Sequence, residues 1–450
     1  MQMISRLSRK VFRILRDNSR VSVVLITALM FLISTLTPMR SDFINIATAS
    51  SSALNGPLAW FGPYTFSVYF MSIFYRLWLQ LPVEHAPVSD ILKLNGQFEP
   101  SVSSFSMVVI FKLPFVVSTV LTGLLIYGLL QAKWKNRDLA VAGLFMWLLN
   151  PYVWSVAVMD GTMDIVAVMF VTLSMYLFIK GHYEASTIPL AIGVAFRFYP
   201  ILLVPFFLVS LLREGKRLRS ILFAASLATV LAAFTMPFVA RFGQSFYGDL
   251  VGLLQSGWGE FLWFFGHTTG EISFVVVIYF LTWIVALDKW RTNRFQIIDA
   301  STIVLTTFVI FAHWNWYYPL WVVPLLTIRY FDSGRFRWSI PLFMLSLIAV
   351  IGATLGIVDF YFYKGLVDGN VWLNRLYELM SSVIYQSSGM SVLAVTGLII
   401  IFQTYISNHV PEVFRTFCAK HGMSIGSFGF PLQVLKPNDQ EASRHLIALT

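Results

Sequence analysis

The chain alternates between long apolar runs and short clusters of basic residues. Residues 21–38, VSVVLITALMFLISTLTP, contain no charged residue, and comparable runs recur almost to the C-terminus. Because a membrane-crossing helix needs about 20 mainly apolar residues, each run is a candidate crossing. We predict crossings at residues 21–39, 105–131, 139–157, 162–180, 220–239, 272–288, 296–312, 315–330, 338–357 and 384–405.

The apolar run at residues 187–212, TIPLAIGVAFRFYPILLVPFFLVSLL, does not fit a simple crossing. It is followed by REGKRLRS, and a single crossing would place this basic cluster outside, against the positive-inside rule. Pro200 removes a backbone donor and disfavours helix at the residue before it, Tyr199. We therefore predict a re-entrant hairpin of two half-length helices, broken at Phe198, Tyr199 and Pro200, with protein or a polar cavity around the break.

Placing every basic cluster in the cytoplasm gives one consistent organisation. Residues 1–20 form a basic cytoplasmic N-terminus, residues 21–405 a transmembrane domain and residues 406–450 a cytoplasmic tail. The first apolar run ends without a small-residue cleavage pattern, so we expect it to be retained rather than removed as a signal peptide. The predicted external loops are residues 40–104, 241–271 and 358–383. The predicted fold is an all-α integral membrane bundle of about ten transmembrane helices plus the hairpin.

The composition supports a membrane protein. Hydrophobic residues make up 57% of the chain and charged residues 12%, about half the charged share of a typical soluble domain. A net charge of +10 could suggest nucleic-acid binding, but the basic residues lie between apolar runs, where they orient helices in a bilayer. We therefore expect no nucleic-acid partner. The single cysteine, Cys418, excludes a disulfide framework and a thiolate metal cluster.

Two external segments, residues 62–82 and 241–271, are apolar enough to lie against the membrane surface. The second is predicted as one or two interfacial amphipathic helices. Both segments could equally serve to cover the bundle. Long, partly apolar external loops would also suit an enzyme that handles a lipid.

Ionisable residues in or beside the predicted spans are candidate functional groups, because each costs at least a few kcal/mol in a bilayer. The predicted topology places most of them near the external ends of their spans, and the hairpin tip can reach the same level. These residues are Asp42, Lys112, Asp160, Asp164, Arg197 and His313. Their gathering at one face predicts a single pocket that opens outward.

Each candidate has a chemical and a structural interpretation. Arg197, which has no carboxylate close by in the sequence, and Lys112 suit an anionic head group, although Lys112 could instead snorkel to the interface. Asp160 and Asp164, spaced i,i+4, would share one face at the positive N-terminus of a helix, or Asp160 could simply cap that helix. The aromatic residues at 314–317 offer flat faces for a sugar or isoprenoid chain, or form an interfacial belt.

Five stretches, taken in chain order, resemble the multi-spanning glycosyltransferases of the GT-C class, which use polyprenyl-phosphate sugars as donors. The similarity is greatest to the mannosyltransferase branch that includes the GPI mannosyltransferase catalytic subunit and related archaeal and actinobacterial enzymes. The stretches, which span about residues 20–330, are RSDFINIATASSSALNGPLAWFGPYT, FKLPFVVSTVLTGLLIYGLL, NPYVWSVAVMDGTMDIVAVMFVTLSMYLF, GVAFRFYPILLVPFFL and NWYYPLWVVPLL.

The resemblance implies roles for the clustered residues. Asp42, in the first external loop, would be the general base, and Arg197, Lys112 and His313 would bind the donor phosphate. The family often carries an Asp-x-Asp motif in this loop, whereas RSDFIN has a single aspartate, so we expect a metal-independent reaction without a cofactor. The substrate-binding candidates are Arg40, Asn45, Asp160, Asp164, Tyr199, Asn315, Trp316 and Tyr317.

The implied function is the inverting transfer of a sugar from a polyprenyl (dolichyl) phosphate donor to a lipid-linked or glycan acceptor on the external face. Mannose is the leading candidate for the sugar. The expected partners are the donor, a glycan or glycolipid acceptor, membrane lipid and a small membrane subunit. The expected location is the cell membrane of a prokaryote or the endoplasmic reticulum of a eukaryote. Three alternatives stay open: a lipid-linked sugar flippase or secondary transporter, another GT-C transferase, and a non-catalytic GT-C homologue.

Overall fold

The structure is a computed structural model, and it describes residues 16–36, 49–51, 53, 65–83, 102–252, 274–288, 294–311, 317–331, 338–347 and 391–404. Those ranges are helical apart from short turns and bends, and no β-strand occurs within them. Several predicted features lie outside them, namely Arg40, Asp42, Asn45, His313, Asn315, Trp316, the loop 358–383 and the tail 406–450.

The helices follow the predicted apolar runs. They are α1 (Ser19–Leu36), α2 (Thr65–Leu79), α3 (Val102–Trp134), α4 (Arg137–Leu148), α5 (Asp164–Ile179), α6 (Tyr183–Phe196), α7 (Val204–Arg213), α8 (Arg217–Gly252), α9 (Phe274–Asp288), α10 (Gln296–Phe311), α11 (Val323–Tyr330), α12 (residues 339–347) and α13 (Ser391–Thr404). A π-helical segment, Trp154–Asp160, precedes α5, and 3-10 turns at Tyr199–Leu203 and Tyr318–Trp321 precede α7 and α11.

Two of the described helices are individually long and apolar enough to cross a membrane. These are Ser106–Trp134 within α3 and Arg217–Ser245 within α8. The other described apolar helices have 10–17 residues. Five of them coincide with further predicted crossings, and Tyr183–Phe196 and Tyr199–Arg213 are the two arms of the predicted hairpin. A crossing of the hydrocarbon core takes about 20 residues, so these shorter helices rely on their neighbours or on the flanking chain.

The predicted crossing at residues 139–157 is bent rather than straight. Arg137–Leu148 and Pro151–Asp160 form an angle of 43°, and together they could make a third span. The interruption has a local cause, because the Asn150 side chain accepts a hydrogen bond from the backbone of Tyr152 and Pro151 starts a new helical turn.

The apolar run at residues 187–212 folds back on itself. α6 ends at Phe196 and α7 begins at Val204, so the break lies where Pro200 predicts it. The far ends of the two helices meet, because the Tyr183 hydroxyl donates to Glu214 Oε2 at 3.1 Å. Two helices whose far ends touch are antiparallel, which is the hairpin geometry that the sequence predicts.

The residues around the far ends of this hairpin, where Tyr183 meets Glu214, define what we call the basic end of the bundle. Lys216 Nζ donates to the Tyr183 hydroxyl at 2.7 Å and pairs with Glu214, and its hydrogen bond to Glu214 raises the pKa of Lys216. Arg294 Nε donates to Glu214 Oε1 at 3.2 Å, and Arg294 Nη1 donates to the Ile179 carbonyl at 3.3 Å. Residues from three of the basic clusters that the prediction places in the cytoplasm, Tyr183, Lys216 and Arg294, therefore meet around Glu214.

Two further contacts extend the basic end. Lys133 Nζ, in the last turn of α3, lies 5.3 Å from the ring centroid of Phe295. Arg329, near the end of α11, pairs with Asp299 in the first turn of α10 at 2.8 Å. The basic clusters thus gather at one end of the helices, as the positive-inside rule leads us to expect.

α2 lies at the opposite end, which we call the site end, and covers the ends of other helices. The buried Trp78 indole donates to Ser106 Oγ, at the start of α3, at 2.9 Å. Phe70 packs edge to face against Phe196 at the end of α6, with ring centroids 5.2 Å apart. The described part of the predicted external segment, residues 65–82, therefore packs on the bundle.

α8 is longer than the predicted crossing at residues 220–239. It continues to Gly252 across a bend at Phe242, where φ is −126° and ψ is 29°. Phe238 of α8 packs edge to face against Phe66 of α2 at 5.4 Å, so this part of α8 also lies at the site end. The beginning of the predicted interfacial segment 241–271 is thus the end of a long helix.

Candidate functional site

Arg197 occupies the tip of the hairpin. Its backbone is extended, with φ −148° and ψ 138°, because the chain leaves α6 there before it enters the 3-10 turn at Tyr199–Leu203. Pro200 contributes to the break, since it is incompatible with continued helix in the residue that precedes it. The Arg197 side chain is 16% exposed, so it can be approached from the surface of the site end.

Asp164, the first residue of α5, holds the Arg197 guanidinium. Nε donates to Oδ2 at 2.9 Å, and Nη2 lies 2.8 Å from the same oxygen. Thr162 Oγ1 also donates to Oδ2, at 2.8 Å, while the Trp321 indole donates to Oδ1 at 2.6 Å. The Asp164 carboxylate is fully buried, and these partners compensate the loss of water around it.

Aromatic rings flank the ion pair. Tyr199 stacks on Trp321 with centroids 4.0 Å apart and ring planes 12° apart. The Tyr317 ring centroid lies 5.8 Å from Arg197 Cζ, within the range of a cation–π contact. The Tyr199 hydroxyl is buried, and no partner for it occurs in the described part of the chain. Tyr199 and Trp321 are buried against each other, whereas Tyr317 is partly exposed, and its flat face beside a cation suits a sugar ring or an isoprenoid chain next to a phosphate.

Lys112 lies at the same end but inside the protein, contrary to the expectation that it lines an open pocket. Its side chain is fully buried, and its ammonium donates to the carbonyl of Met159, the residue before Asp160. A lysine in this position supports the end of the π-helical segment.

Asp160 and Asp164 do not share a helix face, so that prediction is wrong. Asp160 ends the π-helical segment, Gly161 follows with a φ of +75°, and α5 begins only at Asp164. Asp160 does not cap α5 either, because the N-cap position is Met163. Glycine is required at residue 161, since other residues are strained at positive φ and a Cβ would lie 3.1 Å from the Phe115 ring.

Tyr152 connects the two aspartates in space. Its buried phenol interacts electrostatically with both Asp164 and Asp160, and it contacts the backbone of Leu320. The site end therefore holds several buried polar side chains, Tyr152, Asp160 and Asp164, in an otherwise apolar bundle. Such groups are costly unless satisfied, and when satisfied they fix one arrangement.

The structure thus brings together five of the predicted residues: Lys112, Asp160, Asp164, Arg197 and Tyr199, with Tyr317 at their edge. Sequence reasoning missed Thr162, Trp321 and Tyr152. Trp321 could have been proposed from the sequence as a hydrogen-bond donor at the site, because a buried indole N–H needs an acceptor. Within the described ranges, no three His, Cys, Asp or Glu side chains lie close enough to hold a metal, and Asp42 is outside those ranges.

Comparisons with known proteins point to the class that the sequence motifs resemble. No protein-family profile matches the chain. A stretch of 131 residues is 33% identical to GPI mannosyltransferase 1 of Candida albicans, covering 28% of this chain and 31% of that protein. The match therefore spans about a third of the relative's length.

The fold is similar to a solved structure over most of the chain. The crystal structure of ArnT from Cupriavidus metallidurans bound to undecaprenyl phosphate superposes with a TM-score of 0.51 and 14% sequence identity. The similarity covers 86% of this chain and 77% of ArnT. The predicted all-α integral membrane fold of the GT-C class is confirmed.

Proposed function

We propose that this chain is an inverting GT-C glycosyltransferase that moves mannose from a polyprenyl (dolichyl) phosphate donor to a lipid-linked or glycan acceptor. The similarity to GPI mannosyltransferase 1 supports mannose as the sugar. The fold shared with ArnT, which was solved with undecaprenyl phosphate, supports a polyprenyl-phosphate donor. The reaction takes place at the site end, which we assign to the external or luminal membrane face.

The observation that carries the proposal is the Arg197–Asp164 pair at the hairpin tip. A guanidinium suits phosphate because its planar N–H donors match two phosphate oxygens. Asp164 fixes the orientation of Arg197 through two contacts of 2.8 and 2.9 Å, and the 16% exposure of Arg197 leaves it approachable. As the sugar–phosphate bond breaks, negative charge grows on the leaving phosphate, where a fixed cation stabilises the transition state most.

Asp42 is the general base in this proposal. It takes the proton from the acceptor hydroxyl while that oxygen attacks C1 of the sugar. The bond between C1 and the phosphate oxygen breaks on the opposite face, and the electron pair leaves with the polyprenyl phosphate. An aspartate with a pKa of about 4 is ionised at neutral pH and available for this role.

The packing of α1 supports Asp42 as a neighbour of the site. α1 ends at Leu36 and packs against α3 and the π-helical segment that ends at Asp160. Only five residues separate Leu36 from Asp42. α1 therefore ends beside the helical segments that hold the polar residues of the site.

The other candidates take narrower roles. Lys112 supports the Met159 carbonyl in place of direct phosphate contact. His313, Asn315 and Trp316 immediately precede Tyr317, whose ring faces Arg197, so we assign them to recognition of the donor.

A transfer assay tests the proposal. Purified full-length protein is incubated with radiolabelled polyprenyl-phosphate mannose or glucose and an extract of membrane lipids and glycans. We expect transfer from the mannose donor, and loss of transfer in Arg197→Ala. Asp17→Ala, which removes an exposed carboxylate far from the site, is the matched control and should keep activity. Movement of donor across a vesicle membrane without transfer would instead support a flippase.

A further inference from the structure

A groove on the outside of the bundle lies between α3 and α5, in the half nearer the basic end. Its volume is about 660 Å³, in the range of small-molecule sites. Leu121 and Leu124 of α3 and Phe170 of α5 form apolar walls. At one end the walls become polar, with Gln131 and Lys180.

The length of the groove matches one leaflet of a bilayer. At a rise of 1.5 Å per residue, the path along α3 from Leu121 to Gln131 is about 15 Å. The hydrocarbon core of a bilayer is about 30 Å thick, so this path spans about half of it. Leu121 is 42% exposed and Leu124 is 44% exposed, so the groove is open along its side.

Gly128 shapes the polar end of the groove. A Cβ at this position would lie 2.8 Å from Cε2 of Tyr176, so the absence of a side chain lets the Tyr176 ring approach α3. The Lys180 ammonium lies 5.6 Å from the centroid of that ring. The aromatic ring thus helps to hold the ammonium at the mouth of the groove.

Lys180 differs from two neighbouring cations of the basic end, Lys216 and Arg219. Lys216 pairs with Glu214, and Arg219 pairs with Glu184. For Lys180, which is exposed, no carboxylate partner occurs in the part of the chain that the structure describes. An exposed ammonium at the end of an apolar groove is complementary to a lipid with an anionic head and an apolar tail.

The amide of Gln131 adds a second polar group at the same place. Its Oε1 atom is buried, and no donor to it occurs among the described residues. A buried acceptor without a partner is costly, and a hydroxyl of a lipid head group could satisfy it.

We propose that this groove binds one anionic glycerophospholipid of the leaflet at the basic end. One acyl chain lies along α3 and α5, the phosphate contacts Lys180, and a head-group hydroxyl donates to Gln131. This site is separate from the proposed donor site, because α5 places Lys180 about 24 Å from Asp164 at 1.5 Å per residue. The inference is independent of the proposed transfer activity.

Photo-crosslinking tests this proposal. The full-length protein is reconstituted in phosphatidylcholine nanodiscs with a trace of phosphatidylglycerol or phosphatidylcholine that carries a diazirine in its acyl chain, and adducts are mapped by mass spectrometry. We expect the phosphatidylglycerol probe to label residues 121–131 and 169–180, with competition by unlabelled phosphatidylglycerol only. Lys180→Gln should reduce this labelling about fivefold, the size of one lysine–lipid charge contact.

Two other variants distinguish the contribution of the Lys180 charge from that of the apolar groove. Arg219→Gln removes a cation from the same end but away from the groove, and labelling should stay unchanged. Leu124→Trp fills the groove with Lys180 intact, and labelling should fall. Equal labelling by both probes, equal effects of Lys180→Gln and Arg219→Gln, or a protein segment crosslinked in the groove in place of lipid would each overturn the proposal.

Discussion

Arg197 and Asp164 are 33 positions apart in the sequence, yet the guanidinium of Arg197 contacts a single oxygen of Asp164 through both Nε and Nη2. The contact exists because the hairpin tip reaches the first residue of α5. The carboxylate is fully buried and the guanidinium is partly exposed, so the pair extends from the interior of the bundle towards its surface. In the proposed function, Asp164 is therefore a positioning residue and Arg197 is the group that meets the donor.

We predict that substitutions at Asp164 and Arg197 affect the stability of the protein and its transfer activity differently. Asp164→Leu should lower the free energy of unfolding by about 3–5 kcal/mol, because it leaves the Arg197 charge without its buried partner. The double variant Asp164→Leu with Arg197→Met should recover most of that loss, since a buried pair can be replaced by apolar groups. Thermal unfolding of the purified protein in detergent measures this effect.

The same double variant should have no detectable transfer activity. A double variant that regains both stability and activity would contradict the assignment of Arg197 to the donor phosphate. Arg197→Lys, which keeps the charge but loses the planar fork, should keep the fold and lose most activity.

Asp42→Asn should abolish transfer without unfolding the protein. Asparagine has nearly the same shape but cannot accept the acceptor proton, and loss of a general base typically costs about 100-fold to 10,000-fold in rate. Binding of the labelled donor, measured by filter retention or quenching, should be unchanged. An active Asp42→Asn protein would exclude this residue as the base and favour a non-catalytic role for the loop.

Trp321→Phe should weaken the site while leaving the aromatic stack in place. The variant removes the indole N–H that donates to Asp164 at 2.6 Å, and a hydrogen bond to a charged group contributes about 1.5–3 kcal/mol. We expect lower stability and a higher KM for the donor, because Arg197 loses part of its support. Trp147→Phe is the control, since its indole donates to the Thr119 carbonyl at 2.8 Å. That variant should lose stability without a change in KM.

Gly161 and Gly215 form a matched pair for testing backbone conformation. Both have positive φ, at 75° and 73°, but a Cβ on Gly161 would lie 3.1 Å from the Phe115 ring, whereas a Cβ on Gly215 has nothing within 4 Å. Gly215→Ala should cost about 1–2 kcal/mol from left-handed strain alone. Gly161→Ala should cost clearly more, and thermal unfolding midpoints compare the two. Equal losses would mean that Phe115 gives way without cost.

The local pattern of apolar, basic and proline residues in the sequence predicted much of the fold. The crossing placed at residues 105–131 is α3, because α3 is continuously apolar, and the break near Pro200 follows from the covalent geometry of proline. The predicted meeting of basic clusters also followed from charge alone. These features depend on neighbours in the sequence, which is why one sequence suffices to find them.

The site was less accessible to sequence reasoning. The partner of Arg197 could not be found locally because it starts a different helix, and Trp321 is 157 positions from the carboxylate that it binds. The i,i+4 spacing of Asp160 and Asp164 suggested one helix, but Gly161 interrupts it with a left-handed residue. A periodicity argument assumes a continuous helix, and it fails where a single glycine reverses the chain.

The contact between Tyr183 and Glu214 also has a consequence for counting the membrane crossings of the chain. A segment that starts and ends at the same level does not change the side on which the chain continues, however apolar it is. A count that treats residues 187–212 as one crossing therefore reverses the parity of the predicted topology from residue 214 onwards. Every tag, protease site or labelling residue placed in the second half of the chain would then be assigned to the opposite compartment.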